Sequence, residues 1–260
     1  MDPAQLSDEQ VQHQWQRIAT RAHSLIERSG SPTGFAVASG SPLAGDDAAA
    51  TPYRVSDAAQ VCLLSAIDHL HALCALVLHS GYLHATAPFT LARGALETAS
   101  AAVWMLCPAG RDDRVRRALQ WNAKDITDGD RAARSAGVPV PVSLQERMDK
   151  LEVVAARRGL DFTGIRRGYT SSEAVKAAEE QLDTAMGVLF PWQFASGHAH
   201  GRRWNILGVV QGEHVTPATE AGVSTLRIEG DYRLSLYPTW AAEEAVSGAV
   251  QLFDRRAAAS

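Results

Sequence analysis

Three stretches of the sequence carry side chains that could do acid–base or binding chemistry. Asp68 and His71 stand three residues apart in an apolar run, so a helix would place both on one face. Arg93 and Glu97 stand four residues apart in a second apolar run, with the same result. The third stretch, residues 196–204, combines a hydroxyl, two imidazoles, two guanidinium groups and an indole. A His beside a carboxylate transfers protons near neutral pH, and an Arg binds anions.

We expect these side chains to meet inside a helical bundle, because buried polar groups need polar partners. In this hypothesis Arg93 anchors an anion, a carboxylate orients a His, and His200 acts as general acid or base. The predicted catalytic residues are Asp68, Glu97, His198 and His200, and the predicted substrate contacts are Arg93, Ser196, Arg202 and Trp204. In the alternative, Arg93 and Glu97 are a pair on one helix that covers the end of the bundle, and the His residues are ordinary hydrogen-bonding partners.

No metal is predicted, and the cofactor is left open. A di-iron bundle uses two carboxylate–His motifs and further carboxylates, whereas only one such motif is present here. A mononuclear site of His198, His200 and a carboxylate is the alternative. The sequence contains no phosphate-binding loop, no dinucleotide-binding glycine pattern and no G-x-S-x-G nucleophile elbow.

The composition is that of a globular protein that does not depend on nucleic acid. The chain has 260 residues, of which 46% are hydrophobic and 21% charged, and its net charge is −4. Nucleic-acid-binding domains are usually basic, so this charge disfavours them. The predicted partner is therefore a small molecule, with no membrane and no nucleic acid, and a second copy of the chain is a further candidate partner.

The sequence also predicts a cytoplasmic protein. The first residues are polar and acidic, and no basic start precedes an apolar run, so we expect no secretory signal. The longest apolar stretch, residues 61–78, is interrupted by Asp68 and two His residues, which favours a buried helix over a membrane span. An odd number of scattered Cys residues is typical of reduced thiols.

Hydrophobic periodicity predicts a mainly α fold. Residues 1–52 should form an N-terminal helix and a flexible, Gly- and Pro-rich linker, and residues 53–260 a helical-bundle domain. Two nearly all-apolar helices, 57–80 and 88–107, should form its centre. Alternating apolar residues around Glu229-Gly230-Asp231 predict a small C-terminal β-hairpin over 224–237, followed by a helix to about residue 256.

Four short motifs carry a resemblance to known sequences. They are AIDHL at 66–70, LARGALE at 91–97, RVRR at 114–117 and SGHAHG at 196–201. Together they resemble a set of uncharacterised actinobacterial helical proteins over about residues 53–255. This resemblance implies a helical bundle and no particular activity.

A more distant resemblance is to HEPN-type helical bundles, many of which are ribonucleases or parts of toxin and phage-defence systems. Their mark is an Arg followed four to six residues later by a His on a helix. Residues 196–200 lack that Arg, while Arg17 and His23 have the spacing in the first helix. This alternative implies a dimer with a basic groove made by Arg114, Arg116 and Arg117. A third alternative is a non-catalytic interaction protein with an exposed apolar patch.

Overall fold

The chain folds into a bundle of helices, and the computed structural model describes residues 5–205, 215–216, 225–226 and 229–259. In chain order the described elements are α1 (Asp8–Ser29), α2 (Pro42–Ala50), α3 (Val55–His79), α4 (Ala87–Leu106), α5 (Arg111–Ala136), α6 (Leu144–Arg157), α7 (Phe162–Arg166), α8 (Ser171–Gln181), α9 (Leu189–Ala199), β1 (Val215–Thr216), β2 (Thr225–Leu226) and α10 (Tyr232–Ala257). The prediction of a mainly α fold is confirmed.

The two central apolar helices are also confirmed, as α3 and α4. They pack against each other, and α10 contacts both. Large side chains such as Leu63, Ile67 and Leu96 are fully buried between them. Each buried aliphatic side chain contributes about 1.5–3 kcal/mol relative to an exposed one. Pro88 lies in the first turn of α4, where its missing N–H leaves no bond unmade.

The first and last helices lie side by side and run parallel. Ser7 caps α1, and its buried stripe, which includes Trp15 and Ile18, packs on α3 and α10. Arg17 contacts Glu243 and Arg28 contacts Asp254, both at a sequence separation of 226 residues. Because the separation is constant, the two helices run in the same direction. The buried residues of α1 and α10 belong to one hydrophobic core.

The loop predicted over 30–52 contains a helix, which corrects that interpretation. Ser41 accepts a hydrogen bond from the Ala44 amide, and Pro42 begins α2. Leu43 and Ala50 are fully buried. Glycines and prolines suggested a linker, yet Ser41 and Pro42 are an N-cap and a first helical residue, so they start a helix instead of breaking one.

The predicted hairpin over 224–237 is wrong, because its second arm is the first part of α10. Asp231 accepts hydrogen bonds from the Arg233 and Leu234 amides and so starts the helix. The observed ladder is only two residues long and antiparallel, with β1 paired to β2. Ile228, which was expected in the first arm, lies outside the described residues.

Among the described residues, α3 is the helix long and apolar enough to cross a membrane. Its inner face is buried against α1, α4 and α10, as in the central helix of a bundle. Its most apolar window is only 44% buried, so a substantial part of this helix faces outward.

Candidate functional site

The candidate site lies along the seam where α4 meets α8 and α9. Phe89, Arg93 and Glu97 follow one another at four-residue steps, so they line one face of α4. Phe89 stacks on His198, and Arg93 bonds Ser196. As positions on α4 increase, their partners on α9 decrease, so the two helices run antiparallel along this seam.

An ion pair on α4 forms the polar centre of the seam. Arg93 Nη2 lies 3.0 Å from Glu97 Oε2, and Arg93 Nε donates to Ser196 Oγ at 3.0 Å. The Arg93 and Glu97 side chains are 31% and 28% exposed. The structure therefore brings together three of the predicted site residues, Arg93, Glu97 and Ser196. The pair is held between helices but remains in contact with solvent.

Glu97 collects further donors from two other elements. Ser171 Oγ donates to Oε1 at 2.5 Å, and Trp192 Nε1 donates to Oε2 at 3.2 Å. Because Arg93 and these two groups all approach one carboxylate, Glu97 connects α4 to α8 and α9. Sequence analysis missed both donors. Ser171 directly follows the Thr170 N-cap of α8, and that capping signal could have indicated which residue begins the helix.

His198 is buried beside this ion pair, in an aromatic environment. Its ring stacks on Phe89 with centroids 3.9 Å apart and an interplanar angle of 10°, and Phe194 packs edge-on to it. Burial lowers the pKa of the His198 imidazole below its ordinary value, although a hydrogen bond with the Phe194 carbonyl opposes that shift. The ring is therefore neutral at physiological pH.

Asn205 packs against the His198 imidazole. The Asn205 amide nitrogen donates to the Phe194 carbonyl and lies 2.6 Å from His198 Nδ1. A carbonyl can only accept, so the Asn205 atom that faces it must be the nitrogen. His198 Nδ1 lies 3.3 Å from the same Phe194 carbonyl, so both side chains meet at this one acceptor. Asn205 Oδ1 is buried and has no hydrogen-bond partner within the described part of the chain.

A glycine makes room for Asn205. A Cβ added at Gly197 would lie only 2.8 Å from the Asn205 Cβ and closer still to its amide nitrogen. The Arg202 amide donates to the Gly197 carbonyl at 2.8 Å and turns the chain back along α9. Sequence analysis missed Asn205, because only the tertiary fold shows which group approaches Gly197.

The remaining predicted site residues do not join this cluster. Asp68 lies on the outer face of α3 and His200 ends α9, and both are exposed. Arg202 and Trp204 are exposed as well. The expected network of Asp68, Arg93, Glu97 and one or both of His198 and His200 therefore lacks Asp68 and His200. Exposed groups can be hydrated by water, so nothing forces them to converge.

The arginines of the RVRR motif each contact another group of the chain. Arg114 is buried in a bidentate pair with Asp46, Arg116 pairs with Asp113, and Arg117 donates to the Trp104 carbonyl. The expected basic groove is therefore not formed by these three side chains. Within the described ranges, no group of three His, Cys, Asp or Glu side chains is placed to hold a metal ion.

A second polar cluster, which sequence analysis missed, joins α1 to α10. Glu243 is buried and lies 3.3 Å from Arg17 Nη2 and 3.1 Å from Arg21 Nε. Ser247 bridges the same groups, accepting from Arg21 and donating to Glu243. Arg17 is thus held by Glu243, while His23 is exposed beside Glu27. A cleft of about 410 Å³ opens next to Glu243.

No family model, curated protein or solved structure matches this chain. The function is therefore argued from the geometry of the chain itself.

Proposed function

We propose that this protein binds a small molecule with an anionic group at the seam between α4 and α9, with Arg93 as the anchor. The observation that carries the proposal is the partly exposed Arg93–Glu97 pair, bonded across the seam to Ser196. Ser196 and Glu97 hold two of the guanidinium nitrogens, and within the described residues Nη1 has no partner. An oriented guanidinium with one open edge suits a carboxylate or a phosphate.

Glu97 acts as a positioning residue in this proposal. Its carboxylate accepts from Ser171 and Trp192 and pairs with Arg93, so little of its hydrogen-bonding capacity is left for a ligand. It fixes the rotamer of Arg93 and so reduces the entropy that binding would cost.

The surroundings of His198 favour binding over proton transfer. Its Nδ1 is enclosed by Asn205 and the Phe194 carbonyl, and burial favours the neutral imidazole. Proton transfer by the exposed His200 stays a prediction. We place the protein in the cytoplasm, since Cys62 and Cys74 are buried and all three Cys residues are free thiols.

The internal use of Arg114, Arg116 and Arg117 supports a small-molecule ligand over nucleic acid. A basic surface needs guanidinium groups that are free to reach phosphates, and these three already contact carboxylates or carbonyls of the chain. The HEPN-like alternative therefore has less support than the small-molecule alternative.

The experiment is ligand-observed NMR with acetate, succinate and inorganic phosphate as probes. We expect saturation transfer to a carboxylate or phosphate probe in the wild type, loss of that transfer in Arg93→Gln, and no change in Arg166→Gln. Arg166 is exposed on α7, away from the seam, and is the matched control. No transfer in the wild type, or equal transfer in Arg93→Gln, would overturn the proposal.

Thermal unfolding of the same variants separates binding from scaffolding. If Arg93 is an anchor, Arg93→Gln loses the probe signal while its Tm changes little, because Gln can still bond Ser196. If the pair only joins helices, Tm falls and no variant shows probe binding.

A further inference from the structure

We propose that the outer face of α3 is the contact surface for a second copy of this chain, in an antiparallel two-fold pairing. The face consists of Val61, Leu64, Asp68, Ala72 and Ala75, which recur at steps of three and four and therefore form one stripe. Val61 is 54% and Leu64 40% exposed. This inference does not depend on the Arg93 site.

The composition of this face is unusual for a surface helix. Between residues 61 and 78, Asp68 is the one Asp, Glu, Lys or Arg. A surface helix usually presents charged side chains to water, whereas α3 presents Val, Leu and Ala. Single exposed apolar residues need no explanation, but a stripe along one helix marks an interaction site.

Hydrogen-bond complementarity between a carboxylate and an imidazole points to a second copy as the occupant. His71 lies at the edge of the face, 6.0 Å from the His23 ring of α1. In a two-fold pairing, residue i contacts residue j of the other copy and j contacts i. An antiparallel axis between residues 69 and 70 places Asp68 against the second copy's His71, and Leu64 against the second copy's Ala75. Two Asp–His pairs then form by symmetry, between two apolar layers.

The available area is that of a small dimer interface. The stripe from 61 to 75 is about 21 Å long. Helices α1 and α4 pack on α3, so the face is about three helices wide. At about 9 Å between helix axes it covers about 570 Å² on each partner, and a biological interface should bury more than about 1,000 Å² in total. A lipid surface suits the face less well, because Asp68 would then lie in hydrocarbon near its centre.

The test is the solution mass by light scattering and sedimentation across the micromolar range. We expect the wild type to have twice the chain mass of 27.9 kDa and Leu64→Glu to be monomeric. Val153→Glu is the matched control, because Val153 is 51% exposed on α6, away from this face. A monomeric wild type, or a Leu64→Glu variant that stays dimeric, would overturn the proposal.

Cross-linking tests the pairing itself. Leu64→Cys and Ala75→Cys chains are mixed and oxidised, and we expect the mixed disulfide to form in preference to a link between Leu64→Cys and Val153→Cys chains. Equal yields of the two links overturn the antiparallel arrangement. Flotation with phosphatidylcholine vesicles covers the other occupant: a wild type that floats with the vesicles and is monomeric without them overturns the dimer.

Discussion

The Phe89 ring lies almost parallel to the His198 imidazole, with their centroids 3.9 Å apart. This stacking covers one face of the imidazole and contributes to the burial that disfavours its protonation. The stacking links α4 to α9 directly. The stability of this contact between the two helices therefore depends on the protonation state of the His198 ring.

The first prediction concerns pH. The pKa of His198 is lower in the folded chain than its ordinary value of 6.5, so the unfolded chain binds the proton more tightly. The stability that the neutral His198 imidazole contributes is fully present above about pH 6.5. It is lost progressively as the pH falls below that value. Urea unfolding near pH 7.5 and near pH 5.5 should show the wild type losing stability at the lower pH.

The control for that prediction is a second imidazole. His198→Gln should reduce the loss of stability between the two pH values, whereas His79→Gln should leave it unchanged, because His79 is exposed at the end of α3. An unchanged pH dependence in His198→Gln would show that the imidazole is not the responsible group.

The second prediction concerns Glu97. Glu97→Ala removes the acceptor of Ser171 and Trp192 and the ion-pair partner of Arg93, and the cost should be about 1–2 kcal/mol, because the site is partly exposed. Chemical denaturation measures it. Glu180→Ala, on the exposed side of α8, should stay within about 0.5 kcal/mol of the wild type. Equal costs for the two variants would exclude Glu97 as a connecting residue.

The third prediction contrasts two helical glycines. Gly129 lies within α5 with open space around it, so Gly129→Ala should stabilise the protein by about 0.5–1 kcal/mol. Gly197→Ala should destabilise it by about 1–3 kcal/mol, since the new methyl group overlaps Asn205. Thermal unfolding of both variants gives the signs. Stabilisation by Gly197→Ala would mean that Asn205 does not occupy that space.

The fourth prediction concerns α2. Asp46 is fully buried and pairs with Arg114, with Nε to Oδ2 at 2.5 Å and Nη2 to Oδ1 at 2.9 Å. Asp46→Ala leaves the Arg114 charge buried and should cost about 3–5 kcal/mol. Asp113→Ala breaks only the exposed pair with Arg116 and should cost less than about 1 kcal/mol. A small effect of Asp46→Ala in urea unfolding would make α2 dispensable.

The central helices were predictable because their residues need no tertiary information. Helix α3 is apolar over more than four turns, and a run of that kind can only be a helix of a core or of a membrane. The Arg93–Glu97 contact was also predictable, since both residues lie on one helix at a spacing that brings them together.

The hairpin failed for a physical reason. Tyr232, Leu234 and Leu236 alternate with polar residues, which is the period of a strand. Asp231 caps a helix at the same place, and packing on the bundle buries Leu236 completely. Alternation over so few residues is a weak signal, and the cap together with tertiary packing overrides it.

The rest of the candidate site depends on chain segments that are distant in sequence. Ser171 is 74 residues from Glu97, and Trp192 is 95 residues from it. No local spacing connects these positions, so only the packing of α8 and α9 on α4 could reveal them. The position of Asp68 also depends on the tertiary fold. Its three-residue spacing from His71 places both residues on one side of α3, but the orientation of α3 in the bundle turns the Asp68 carboxylate outward.

The parallel packing of α1 and α10 has a consequence for synthesis of the protein on the ribosome. Trp15 and Ile18 leave the exit tunnel early, yet the helix that covers them, with Glu243 and Asp254, is made more than 200 residues later. In the nascent chain α3 can cover only part of the apolar stripe of α1, and the remainder is covered when α10 emerges.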